Sequence, residues 1–173
     1  VGSEMCIRDS TGVGSPVTFW VSKDSGSEDA IAYVIQSGLG LPDEAYYHEE
    51  AHAETLSAYE KHVAEMLEFL DPARLFGLGA EVAAHRIVSL EKELAAGHWD
   101  VVSTRDAVKT YNPCEFSELP TMTRALLSGG NLPEHRVVNM MPSYLEHFES
   151  LFTSEHMADW QLWATWHLSL IHI

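Results

Sequence analysis

The apolar pattern opens with two short, dense runs. Val17 to Ser22 (VTFWVS) and Ile31 to Gln36 (IAYVIQ) are rich in β-branched and aromatic residues, and the stretch between them, KDSGSEDA, is rich in turn formers. Together they predict a β-hairpin. An extended passage, SGLGLPDEAYY, follows, punctuated by Gly38, Gly40 and Pro42, with Asp43 placed to cap a helix. From Glu49 to Leu70 the positions Leu56, Tyr59, Val63, Met66, Leu67 and Leu70 recur at helical spacing, with Glu54, Glu60, Lys61, Glu65 and Glu68 between them, which predicts an amphipathic helix. Asp71-Pro72 ends it, because proline suits the first turn of a new helix and not the interior of an old one. A second long helix is expected over roughly Gly79 to Ala96, with Val82, Ile87, Leu90 and Leu94 inward and Gly97 as its stop.

Shorter elements complete the pattern. Helices are expected over Ser103 to Lys109 and Ser117 to Leu127, the second ended by Gly129-Gly130, and Val137 to Asn139 reads as a brief strand. Pro142 opens a helix through Phe152, and Ser154 is placed to cap a last one carrying Trp160, Trp163 and Trp166. Tryptophans at i, i+3 and i+6 read as core or a buried interface rather than a cofactor platform. There is no internal repeat or low-complexity tract. The fold class is mainly α, with a small N-terminal β-hairpin.

Composition narrows the function classes. The chain has 173 residues, 46% of them apolar, and 10 basic against 26 acidic side chains give a net charge of -16. That apolar fraction suits one globular unit and not a disordered polyanion. The acidic balance would repel phosphate backbones and anionic lipid surfaces, so no nucleic-acid partner is expected. No apolar run approaches the ~20 residues that span a bilayer. The two ends stand apart. Residues 1–10 (VGSEMCIRDS) and 168–173 (LSLIHI) match the two strands of one artificial oligonucleotide, a transposase mosaic end, so both are expected to be translated sequencing adapter. Residues 11–167 are then a piece of a longer protein. Within them Cys114 stands without a second cysteine, which rules out an internal disulfide, and localisation stays open.

One motif points to chemistry. His48-Glu49-Glu50-Ala51-His52 fits H-E-x-x-H, in which two histidines one helical turn apart bind zinc and the glutamate activates a water. Taken at face value it makes the chain a small metalloprotease using His48, Glu49 and His52. Zinc also needs a third protein ligand, and Glu81, Glu91 and Glu115 are candidates that lie in no second motif. The surroundings favour another reading. Glu50 fills one of the variable positions, the motif falls in a first turn, and His48 and His52 align with Leu56 and Tyr59, as a packed or half-exposed pair would. No Cys/His dyad is arguable at Cys114, whose acidic neighbour Glu115 would raise its pKa. No nucleophile elbow, phosphate loop or dinucleotide fingerprint is present, and Gly38-Leu39-Gly40 reads as backbone geometry.

Several blocks carry a resemblance. They are GLGLPDEAYY (38–47), AYEKHVAEML (58–67), LEKELA (90–95) before His98-Trp99, the block of Arg105, Asp106, Lys109, Tyr111 and Asn112, then VVNMMPSYLEHFESLF and DWQLWATWH. In that order they resemble the N-terminal half of the neprilysin and endothelin-converting-enzyme family of zinc metallopeptidases, whose bacterial members are oligopeptidase O-like. The resemblance implies a fragment of a zinc metalloendopeptidase, from the helical lid-type domain that restricts access to the catalytic cleft. It implies that the catalytic half lies C-terminal to this segment and that the segment alone is inactive. Zinc then belongs to the full-length parent, none is expected on this fragment, and peptide substrates are reached through the whole enzyme. No family catalytic, metal or cofactor-binding residue falls on any position here, and the family's polar residue at the place of His48 makes HEEAH a coincidence. A helical interaction module with no enzymatic parent is the remaining alternative.

Overall fold

The computed structural model describes residues 14–129 and 135–169; residues 1–10, Cys6 and Gly130 lie outside the described residues, as do 170–173. In chain order the elements are β1 (Val17–Lys23), β2 (Ala30–Gln36), α1 (Ala45–His48), α2 (Ala53–Leu67), α3 (Ala80–Ala95), β3 (Pro113–Cys114), α4 (Thr121–Ser128), β4 (Val137–Asn139), α5 (Pro142–Leu151) and α6 (Met157–Ser169). Short 3-10 turns stand at Glu50–His52, Pro72–Leu75, Ser103–Arg105 and Phe116–Glu118. The fold is mainly α, as the pattern predicts. Where composition suggests one globular unit, the chain divides into two: Val1–Gly38 with Gly97–Ser150, and Leu39–Ala96 with Leu151–Ile173.

The first unit is built on the predicted hairpin. β1 and β2 pair antiparallel from Val17 opposite Gln36 to Lys23 opposite Ala30. Two strands too short for any periodicity extend it to a four-stranded sheet of order β1-β2-β4-β3, with β4 parallel to β2 and β3 antiparallel to β4. Asp24 shapes the hairpin turn by accepting the Gly26 amide at 3.1 Å and the Ser27 hydroxyl at 3.1 Å. The Tyr111 hydroxyl donates to the same carboxylate at 2.6 Å, and with these donors holds Asp24 below the usual carboxylate range. A Cβ at Gly26 would crowd that hydroxyl, so a larger residue there would have to displace the Tyr111 ring tip. The Gln36 amide pairs twice with the Trp99 backbone, at 2.8 Å each way, and the Trp99 indole donates to Ser143 at 2.7 Å. From α5, buried Tyr144 places its hydroxyl between the carbonyls of Pro16 and Ser37.

The second unit packs α1, α2, α3 and α6. The inward stripe of α3 consists of Ala83, Ala84, Ile87, Val88, Leu90, Glu91, Leu94 and Ala95. Each large aliphatic side chain buried there contributes about 1.5–3 kcal/mol. Val82, expected inward, is 53% exposed because it lies on the opposite side of this stripe. The three tryptophans of α6 are all buried, and Trp160 and Trp163 meet edge to face.

Several predicted helices differ in extent. Ser103 to Lys109 holds only the turn Ser103–Arg105, because Asp100 and Asp106 bind nearby backbone amides and compete with helical bonds. The helix expected from Ser117 to Leu127 is split at Pro120, before which Leu119 is extended. The last helix begins at Met157 and not after Ser154. The helix expected to start at Asp43 and the one from Glu49 are separated by an extended Glu49, with φ -83° and ψ 132°.

Candidate functional site

A polar cluster in the second unit surrounds a carboxylate with no exposed surface. Glu91 is 0% accessible and sits in the middle of the apolar stripe of α3. Its Oε2 accepts the Tyr47 hydroxyl of α1 at 2.7 Å. Its Oε1 accepts the Tyr59 hydroxyl of α2 at 3.1 Å and faces Nε2 of His167 in α6 at 3.1 Å. A buried charge persists only when hydrogen-bonded or paired, and here four helices supply the partners.

The donors are themselves fixed in direction. Tyr47 Oη accepts the backbone amides of Gly40 and Leu41, each at 3.0 Å, so its proton is left for Glu91. Tyr59 Oη accepts the Trp166 indole N–H at 3.1 Å, so its proton also goes to Glu91. Burial first, and then the charge of Glu91, push both phenols well above their usual range, which keeps them as donors. Gly40 is held to glycine by close approach, since a Cβ would collide with the Tyr59 hydroxyl. Trp163 packs against the His167 ring in a tilted arrangement, with 4.1 Å between centroids.

The bend at Glu49 follows from this convergence. Tyr47 and Tyr59 are separated by twelve positions, which on an unbroken α-helix is about 18 Å of rise and about 120° of residual rotation. Two phenols so placed cannot reach the two oxygens of one carboxylate. The chain therefore ends α1 at His48, extends at Glu49 and starts α2 at Ala53.

That bend also dismantles the H-E-x-x-H geometry. His48 is the last residue of α1 and exposed, while His52 lies beyond the extended Glu49 and stacks on Tyr46 at 4.2 Å. They do not share a helical face, so the inward pair expected from the wheel is replaced by one exposed and one half-buried ring. Of the candidate third ligands, Glu91 is enclosed by its own donors, Glu81 is exposed in the first turn of α3, and Glu115 forms a capping box with Glu118. Among the described residues no group of three or more His, Cys, Asp or Glu side chains could hold a metal ion. The residues of the motif do not fit zinc. Cys114 is a half-buried free thiol on β3 whose pKa is raised by burial and then by Glu118.

Glu91 enters the sequence reading only as a possible zinc ligand. The signal that marks its true place is its register: it follows Ile87 by four and precedes Leu94 by three, an acid within the buried stripe. Four of the resemblance blocks supply this one cluster. GLGLPDEAYY brings Gly40, Leu41 and Tyr47, AYEKHVAEML brings Tyr59, LEKELA brings Glu91, and DWQLWATWH brings Trp166 and His167.

Comparison with known proteins agrees. A family model for the N-terminal region of peptidase family M13 matches residues 5–171. The open state of the zinc metalloprotease Zmp1 of Mycobacterium tuberculosis is 36% identical with a TM-score of 0.80, over 95% of this chain and 26% of that one. The same Mycobacterium tuberculosis protease in complex with an inhibitor gives the same identity, TM-score and coverage. PepO from Lactobacillus rhamnosis HN001, at 19% identity and a TM-score of 0.73 over 95% of this chain and 27% of that one, shares the fold. The chain thus spans about a quarter of the length of these solved relatives.

Proposed function

Because the chain belongs to peptidase family M13, as part of its N-terminal region, we propose that it is a non-catalytic helical segment of a zinc metalloendopeptidase. In this reading the intact parent hydrolyses peptides, and this segment forms part of the wall that restricts access to the cleft. No residue of the segment takes a catalytic or metal-binding role. Zinc and the groups that hold it belong to the part of the parent beyond this segment. When bound there, zinc supplies Lewis-acid activation of water and carbonyl.

The observation that supports the reading is the use to which the resemblance blocks are put. Polar side chains from four of them converge on Glu91 and bond to one another, which ties α1, α2, α3 and α6 together. A wall contributes by steric restriction and exclusion of water, which needs rigid packing and no acid, base or ligand of its own. The segments 1–10 and 168–173 are taken as adapter within the same proposal, on their sequence alone; recovering the reading frame from unamplified DNA tests that boundary.

The activity test is direct. The purified 173-residue chain, assayed with fluorogenic peptides in the presence of zinc, is expected to show no hydrolysis. Turnover that a chelator abolishes and His52→Ala removes would establish the small-metalloprotease reading in its place.

A further inference from the structure

The sheet of the first unit ends on two unlike edges. One is β3, two residues long and begun by Pro113, which has no N–H to offer a further strand. The other is β1, seven residues in unbroken register with β2, without proline or bulge. We propose that the open edge of β1 pairs antiparallel with β1 of a second copy of this chain, closing a twofold dimer centred on Trp20. The inference stands apart from the chamber-wall reading and does not depend on it.

Three observations carry it. First, main-chain groups are aimed outward. The Asp24 amide donates to the Asp29 carbonyl at 2.8 Å and the Ser37 amide to the Pro16 carbonyl at 3.0 Å, so along β1 the even-numbered residues bond β2 and the odd-numbered ones face away. The N–H and C=O of Phe19 and Val21 therefore point off the edge, with no partner among the described residues. An extended backbone is what matches such a row. Second, the strand is least buried where it is open. Val17 is buried, whereas Trp20 is 42% and Val21 53% exposed. The one cation of β1, Lys23, which would otherwise guard the edge, is held by Glu28 at 2.7 Å.

Third, β1 (VTFWVSK) is self-complementary about Trp20, which selects a second copy as the occupant. An antiparallel twofold there sets Thr18 opposite Ser22, Phe19 opposite Val21 and Trp20 opposite its own copy, hydroxyl to hydroxyl and apolar to apolar. Phe19 and Val21 form the hydrogen-bonded pairs, and the two Trp20 residues the closer non-hydrogen-bonded pair. Trp20 already stacks on Tyr33 with 5.6 Å between centroids and 9° between planes, so the twofold extends that stack into a row of four rings across the joined sheets. A contact of one strand a side is small, and the dimer is accordingly weak. Two copies of net charge -16 repel, but physiological salt screens that repulsion beyond about 8 Å.

Sedimentation equilibrium of the 173-residue chain at physiological salt, up to roughly 1 mM, is expected to show reversible dimerisation and no larger species, because the twofold consumes the open edge. Amide hydrogen exchange read by NMR is expected to slow at Phe19 and Val21 as the dimer forms. Val21→Pro removes an N–H that bonds nothing within the chain and is expected to abolish the dimer. Trp20→Lys touches no main-chain bond and sets like charges opposite each other, so it is expected to raise the dissociation constant about tenfold or more with unchanged circular dichroism. A chain that stays monomeric throughout, growth past the dimer, or a dimer undiminished in Trp20→Lys overturns the proposal.

Discussion

Tyr47 donates to Glu91 across 2.7 Å while its own oxygen accepts the amides of Gly40 and Leu41, so one phenol ties the glycine loop to the centre of α3. Removing either partner leaves buried groups without mates. Glu91→Gln turns an acceptor into a group that presents its own N–H toward donors, and a loss of about 1–3 kcal/mol is expected from the buried donor left unmatched. Tyr47→Phe strands the two amides and is expected to cost about 1–3 kcal/mol. Urea denaturation of the single and double variants checks this, with clear non-additivity expected because the two share one network.

Gly40→Ala tests the close approach separately. The added methyl would displace the Tyr59 ring and with it the bonds to Glu91 and Trp166. A loss on the order of 2 kcal/mol or more is expected from thermal denaturation, with altered tryptophan fluorescence as the indole of Trp166 is released.

His98 gives the first unit a pH dependence. Burial lowers its pKa to about 4, and it sits edge-on to Tyr144 at 4.6 Å with Nε2 3.3 Å from the Ser37 carbonyl. The unfolded chain protonates it near pH 6.5, while the folded state keeps it neutral to about 4. Between those values the unfolded state binds the extra proton, so this contribution is complete above 6.5 and is lost as pH falls toward 4. The loss is at most on the order of 3 kcal/mol. His98→Gln, which can still donate to Ser37 but cannot titrate, is expected to flatten stability measured across that window.

The Asp24 carboxyl reports the hairpin turn. Its pKa is lowered chiefly by the Tyr111 hydroxyl, so Tyr111→Phe is expected to move its titration to higher pH, followed by carboxyl carbon NMR. An unmoved titration would show that the groups that remain, the Gly26 amide and the Ser27 hydroxyl among them, set it.

Much of the architecture is legible in local pattern. The hairpin, α2, α3, α5 and α6 follow from periodicity and from breakers such as Pro72 and Gly97. What escapes is non-local. β3 is two residues long and becomes a strand only by pairing, and while β4 is legible as a strand at Val137–Asn139, nothing local shows that it pairs parallel to β2 and links the hairpin to β3. The bend at Glu49 has no proline or glycine to announce it; it is imposed by two tyrosines that must reach one carboxylate. Glu91 is visible in register as an acid on an apolar stripe, yet which side chains would satisfy it depends on how four helices meet.

The proposed chamber-wall role requires that this segment pack and coordinate no catalytic metal. Equilibrium dialysis of the 173-residue chain against micromolar zinc, read by atomic emission, addresses that most directly. The expected result is well under one zinc per chain, unchanged by His48→Ala or His52→Ala. One tightly held zinc per chain that either substitution removes would contradict it.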